Sequence, residues 1–195
     1  MRVIAGKFRG RPLRSLHGLD LRPTSDRLRE TLFDVLTGGE PARLYASVWL
    51  DLFAGTGAVG IEALSRGAGN VYFVESAKKT AVLIHGNLRT LGIAAGFEVL
   101  VLDAAAALRR LESKNVVCDF CFLDPPYRMQ QAYAETLGPL SESRLLKPTS
   151  IVIAEHEKRF DPGDAFGALV RYRTLQQGDA ALSFYRTTSA AQSSV

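Results

Sequence analysis

The chain has 195 residues, a 47% hydrophobic fraction and a formal charge of +4, which suits one globular domain with a sizeable core. No run of about 20 apolar residues, no signal peptide and no internal repeat is seen, so neither a membrane helix nor a solenoid is expected. The charge is uneven: residues 1–30 carry eight basic and three acidic side chains, a net +5, and the remainder is −1. By charge alone the opening reads equally as a solubilising arm or as a footprint for a phosphate backbone.

Arg2 to Ala5 is strand-like, and the interleaved glycines and Phe8 predict a small ordered hairpin extension over residues 1–22, which favours docking. Arg2, Lys7, Arg9, Arg11, Arg22 and Arg27 are the candidate contacts to such a phosphate backbone. A helix follows with Thr24 as N-cap after Pro23, an apolar face of Leu28, Leu32, Phe33, Val35 and Leu36, and Gly38-Gly39 as the stop. Arg27 and Arg29 fall near its start, facing either RNA, a cofactor or solvent.

Val48-Trp49-Leu50 then leads through Asp51 into Gly55-x-Gly57-x-x-Gly60 and the helical Ile61-Glu62-Ala63-Leu64. This strand, glycine turn and helix meet the context of a dinucleotide fingerprint, so a nicotinamide site must be weighed. Asp51 argues for S-adenosylmethionine (SAM) instead. A carboxylate there repels a pyrophosphate but accepts from an amino-acid ammonium, while the helix start faces the methionine carboxylate. The strand Asn70 to Val74 ends at Glu75, which can accept both ribose hydroxyls of either cofactor.

Lys78 to Leu91 reads as a crossover helix, and Phe97 to Leu102 as a third strand ended by Asp103, placed to accept from an adenine amine beside the small Ala104. Ala104 to Leu111 is the next helix. A fourth strand, Phe120 to Leu123, delivers Asp124-Pro125-Pro126-Tyr127. Neither proline has an N–H, so a carboxylate, carbonyls and an aromatic ring project from the strand end. Asp124 and the Pro125 carbonyl can accept the two hydrogens of a planar amine while Tyr127 stacks on its ring. Asp51, Glu75, Asp103 and Asp124 each close a successive predicted strand, and in an open parallel sheet such ends converge on one cleft.

A helix from Met129 to Leu140, a fifth strand from Ile151 to Ala154, and an antiparallel pair, Val170 to Leu175 and Ala181 to Tyr185, complete the domain over residues 23–186. Residues 187–195 read as a frayed tail. Glu155 lies at the end of the fifth strand, either lining the cleft or solvated. Cys118 and Cys121 point to opposite faces of a strand and read as buried thiols of a reducing, cytoplasmic setting. His17, His85 and His156 share no zinc spacing, and no metal is expected.

The Asp51/Gly55/Gly57 turn, Glu75, Asp103 and Asp-Pro-Pro-Tyr resemble the class I SAM-dependent methyltransferases of exocyclic nucleobase amines. More narrowly, residues 2–11, 22–33 and 50–66 are similar to the bacterial 16S rRNA guanine-N2 methyltransferases. Thr56 stands where many members have Ser, and Ser76 where an acidic or amide residue is common, leaving the ribose contact to Glu75. The resemblance implies a Rossmann-like α/β fold with a seven-stranded, mostly parallel sheet, an antiparallel last strand and helices on both faces. It implies a monomer that transfers methyl from SAM, releasing S-adenosylhomocysteine, to a guanine N2 in 16S rRNA or a small-subunit particle. Asp51, Phe53, Ala54, Gly55, Gly57, Glu75, Ser76, Asp103, Ala104 and Asp124 would contact the cofactor, and Asp124, Pro125, Pro126 and Tyr127 would be catalytic. The rival readings are an adenine-N6 methyltransferase acting on DNA or RNA, and a non-catalytic RNA-binding factor that keeps a SAM fold.

Overall fold

A computed structural model describes residues 1–15 and 25–188. His17, Arg22, Pro23, Thr24, the expected boundary between residues 22 and 23, and residues 189–195 lie outside the described residues. The chain forms two compact units, residues 1–103 and 104–195.

In the first unit, α1 (Asp26–Thr37) is capped by Ser25 rather than by Thr24: the Ser25 Oγ accepts from the Leu28 amide at 3.1 Å. Ser25 is itself a favoured cap residue, and its hydroxyl reaches the third helical amide. Gly38, at φ 55°, closes the helix by donating to the Asp34 carbonyl. Leu28, Leu32, Phe33 and Leu36 are buried at helical spacing, each side chain contributing roughly 1.5–3 kcal/mol. Arg29 is buried with them, donating to the Arg2 carbonyl at 2.6 Å and to Asp26 at 2.8 Å. It braces the N-terminal arm and is no RNA contact.

Strands β1 (Val48–Leu52), β2 (Asn70–Val74) and β3 (Phe97–Leu100) run parallel with β2 central, joined by α2 (Ala58–Ser65) and α3 (Lys78–Thr90). A 3-10 turn at Pro41–Leu44 precedes β1. The apolar run after Phe97 outlasts its strand. Val74 is the last residue of β2 and pairs with Leu100, so Val101 has no strand to bond and is exposed. Asp103 therefore lies three residues beyond β3, not at its end, and is exposed.

The expected N-terminal hairpin is reduced to one bridge, Arg2 to Pro12, with Val3 and Gly10 bonded to Arg11 and Val3. The Arg9, Arg11 and Leu13 amides bond the Gly6, Phe8 and Met1 carbonyls within the arm, and four others go to α2. Ile4 and Ala5 donate to the two carboxylate oxygens of Glu62 on α2 at 2.8 and 2.9 Å, and Lys7 and Phe8 donate to the Ser65 carbonyl and hydroxyl. Glu62 is wholly buried, and Arg66 completes its shell at 2.8 Å while its guanidinium covers the Phe33 ring.

The second unit holds α4 (Ala104–Ser113), β4 (Cys118–Leu123), α5 (Gln131–Glu142), β5 (Leu146–Glu157), β6 (Ala165–Phe166), β7 (Leu169–Gln177) and β8 (Ala180–Thr187). Strands β4 and β5 are parallel; β8 lies antiparallel between β5 and β7, and β6 edges β7. The described residues thus hold eight strands, the two-residue β6 being the one beyond the expected seven. The antiparallel last strand is present, and the turn between β7 and β8 is only Gly178-Asp179. Two expectations shift. Strand β5 begins five residues early, because the register slips between Cys118 and Phe120 and lets Leu146 pair with Cys118. Thr187, expected in the tail, closes β8, and the Thr188 amide donates to the Ala168 carbonyl. Cys118 and Cys121 are buried free thiols, and burial pushes Cys118 up to about 12.

Replacing Glu62 with Ala strands the Ile4 and Ala5 amides and the Arg66 charge. The expected loss is about 3 kcal/mol by urea denaturation, with Glu62→Gln, which keeps an acceptor, losing less.

Candidate methyl-donor and amine-acceptor sites

In the first unit, β1 carries Asp51 into the interior, where its carboxylate accepts from the Gly60 amide at 2.9 Å. That bond ties the strand to the first turn of α2. Gly57, at φ 77°, is the helix N-cap. Gly60 is required for close approach, since a Cβ there would lie 2.3 Å from the Phe73 ring on β2. Burial, reinforced by the charge of Glu75 and opposed by the Gly60 amide, pushes Asp51 up to about 8.

Glu75 follows β2 directly. One carboxylate oxygen accepts from the Gly55 amide at 3.0 Å and the other from the Ala77 amide at 2.8 Å, so Glu75 holds the glycine turn from the neighbouring strand end. A carboxylate has about four acceptor sites, which leaves capacity for hydroxyl donors. Ser76 beside it is exposed. The turn is held from a third side by Asn87 of α3, whose amide donates to the Thr56 carbonyl at 3.0 Å. Phe53, Ala54 and Gly55 are half-exposed while residues 56–60 are buried, and a Cβ on Gly55 would meet nothing nearer than the Phe53 carbonyl at 3.9 Å. Phe53 itself holds φ 60°, a left-handed conformation rare for a large side chain. The open space at Gly55, a buried carboxylate and a partly engaged acid on the next strand fit an amino-acid nucleoside such as SAM. SAM carries an ammonium, a carboxylate and ribose hydroxyls to match them.

In the second unit, Asp124 immediately follows β4 and is half-buried, Pro125 is buried, and Pro126 and Tyr127 are half-buried. The Pro126 carbonyl accepts from the Met129 amide at 2.7 Å, which closes the turn and delays α5 to Gln131, two residues later than expected. Beneath it lies Tyr133, whose hydroxyl donates to the Glu155 carbonyl at 2.7 Å. Burial, then the negative charges of Asp124, Glu155 and Glu157, raise the Tyr133 phenol far above its ordinary range, so it remains a donor. Glu155 is buried within β5 rather than solvated at its end. His156, also inside β5, bonds the Glu157 carbonyl through Nδ1 and the Ser183 hydroxyl through Nε2, both at 2.9 Å. A carbonyl only accepts, so Nδ1 carries the proton, and burial lowers the pKa and keeps the ring neutral.

Of the basic candidates, Arg2, Lys7, Arg9, Arg11 and Arg27 are exposed. Arg2 is 3.7 Å from Asp26, Lys7 lies over the Phe8 ring, and Arg11 donates to the Thr90 carbonyl. Sequence reasoning passed over Glu62, Asn87 and Tyr133, all buried polar groups inside helices; only a carboxylate or amide on an otherwise apolar face hints at them. Among the described residues no cluster of His, Cys, Asp and Glu is arranged to hold a metal ion, and no helix is long and apolar enough to cross a membrane.

The strand order, glycine turn and antiparallel closing strand define the fold of the class I, SAM-dependent methyltransferases. The solved Escherichia coli structure described as "Putative methyltransferase yhhF" shares this fold, with a TM-score of 0.78 and 32% identity over 96% of this chain and 97% of that one. The chain belongs to the family described as Conserved hypothetical protein 95, whose sequence profile matches residues 1–186. Ribosomal RNA small subunit methyltransferase D of Haemophilus influenzae is 37% identical over 81% of this chain and 79% of its own length. The protein of the same name from Escherichia coli is 36% identical over 80% and 75%.

The Asp51 carboxyl loses its proton near pH 4 in the unfolded chain and only at about 8 in the folded one, so over that window the folded state binds more protons and rising pH weakens the fold. Asp51→Asn keeps an acceptor for Gly60 without the ionisation. Its stability relative to wild type, read by denaturant titration without ligand, should climb as pH rises from about 4 to about 8 and level off above.

Proposed function

We propose that this protein transfers the methyl group of SAM to the exocyclic N2 amine of a guanine in small-subunit rRNA, acting as a cytoplasmic monomer on the RNA or on a subunit particle. The observation that carries the reading is the Asp124-Pro125-Pro126-Tyr127 turn, delivered directly by β4 and closed through the Pro126 carbonyl. The rRNA substrate is inferred from the names of the relatives and from the basic, exposed side chains of the N-terminal arm.

SAM supplies an electrophilic methyl on a sulfonium centre. Asp51 would accept from its ammonium, whose positive charge would favour the ionised carboxylate that burial disfavours; Phe53, Ala54, Gly55 and Gly57 would line its amino-acid end. Glu75, with Ser76 beside it, would take the ribose, and Asp103 with Ala104 the adenine. The guanine N2 lone pair is delocalised into the ring, so the amine is a poor nucleophile while planar. Asp124 and the Pro125 carbonyl would accept its two hydrogens and favour a tetrahedral nitrogen whose lone pair faces the methyl. A nitrogen–carbon bond forms, the sulfur–carbon bond breaks, and the cationic nitrogen gives its proton to Asp124 or water. Tyr127 would fix the plane of a guanine withdrawn from its stack.

Incubation with labelled SAM and undermethylated small-subunit rRNA, followed by nucleoside analysis, is expected to yield N2-methylguanosine. Asp124→Ala and Tyr127→Ala should each lower kcat by roughly 100-fold or more with SAM affinity kept within a few-fold. Label on adenine N6, or folded variants with near-wild-type transfer, overturns the reading.

A further inference from the structure

The outer face of α3 carries chemistry that a crossover helix does not need. Lys79, Val82, Gly86, Arg89 and Thr90 recur at helical spacing, and with Arg14 of the arm they line a surface concavity of about 480 Å³. A second concavity of about 570 Å³ shares Val82 and Arg89 and continues to His85 and Phe97. The first is ringed by three cations. The second is apolar and aromatic, with the His85 ring edge-on to Phe97 at 6.4 Å.

Three further observations separate this strip from an ordinary solvated helix. Residues 1–15 and 78–90 together contain eight Lys or Arg and no Asp or Glu, so none of these charges has an acid on its own segment. The arm is fixed beside the helix: Asn87 bonds both the amide and the carbonyl of Arg14, and Arg11 donates to the Thr90 carbonyl. Arg14 is thus held in place at the rim. Val82 is 68% exposed between the two lobes, and a Cβ on Gly86 would meet nothing within 4 Å, so the floor is open.

We propose that this two-lobed groove binds a single-stranded stretch of RNA, its phosphates among Arg14, Lys79 and Arg89 and one unstacked base against His85 and Phe97. Charge selects the polyanion, and an aromatic lobe next to it selects an unpaired nucleotide over a duplex, whose bases are not available to stack. The site rests on the RNA-methylation reading for its biological purpose, and it makes no contact with the Asp124 turn part of its argument. It extends the basic footprint from the arm to α3, which gives the substrate a second hold.

The test measures fluorescence anisotropy of a labelled single-stranded oligoribonucleotide across a salt series, using the full chain. Arg14→Ala/Lys79→Ala/Arg89→Ala should weaken binding about tenfold or more and flatten the log–log salt dependence by about 2 to 3, with SAM affinity and circular dichroism unchanged. His85→Ala, which leaves those charges in place, should weaken binding about fivefold or more without changing the salt slope. If either variant binds as wild type does, the proposal is overturned. Methyl transfer is read separately: oligonucleotide binding that depends on the groove, in a protein that never methylates rRNA, would sink the enzymatic reading and leave the groove standing.

Discussion

The bond from the Gly60 amide to the buried Asp51 carboxylate is the constraint on which the first unit is built. A strand end and a helix start have to meet through a turn with left-handed backbone at Phe53, Gly55 and Gly57, and the first helical turn lies too close to Phe73 for a Cβ on Gly60. Asp51 makes the junction rigid at the cost of a carboxyl kept out of water. Its neighbours share the work: Glu75 reaches the Gly55 amide from β2, and Asn87 reaches the Thr56 carbonyl from α3. Asp51 and Glu75 are thus already bound to backbone, and they meet a cofactor with the acceptor capacity that these bonds leave.

Helix α2 is gripped from its other side by the N-terminal arm. Glu62 accepts two consecutive amides of that arm, and Arg29 holds the Arg2 carbonyl, so a segment with little secondary structure is fixed by charged groups beneath it. The arm's cations are therefore presented by an ordered backbone, and few rotatable bonds beyond the side chains have to be frozen when a polyanion binds.

Much of this was legible in the sequence where physics acts locally. Apolar runs ending in an acid or glycine gave β1, β2 and β4 nearly to the residue, and the Gly38 stop of α1 followed from its left-handed conformation. What escaped depends on distant partners. Arg29 and Glu62 have ion-pair partners within a helical turn, in Asp26 and Arg66, but the backbone groups they hold in the N-terminal arm lie 27 and 57 or more residues away. Strand β3 reads longer than it is because hydrophobicity continues to Leu102 while its neighbour stops at Val74, and β5 reads shorter because Lys147 and Pro148 hide a strand whose register starts at Leu146. The Asp124 turn was found from its residue types alone, but Tyr133 beneath it, six residues after Tyr127, looked like an ordinary helix position.

The cysteines have a use unrelated to chemistry at either site. The chain has two, both buried in β4, so the first unit contains no thiol at all. Alkylation kinetics would then report the opening of the second unit alone, through a thiol that burial keeps protonated and unreactive until the strand is exposed. The protein carries its own probe of when that half loosens as it is heated, diluted into denaturant or loaded with ligand.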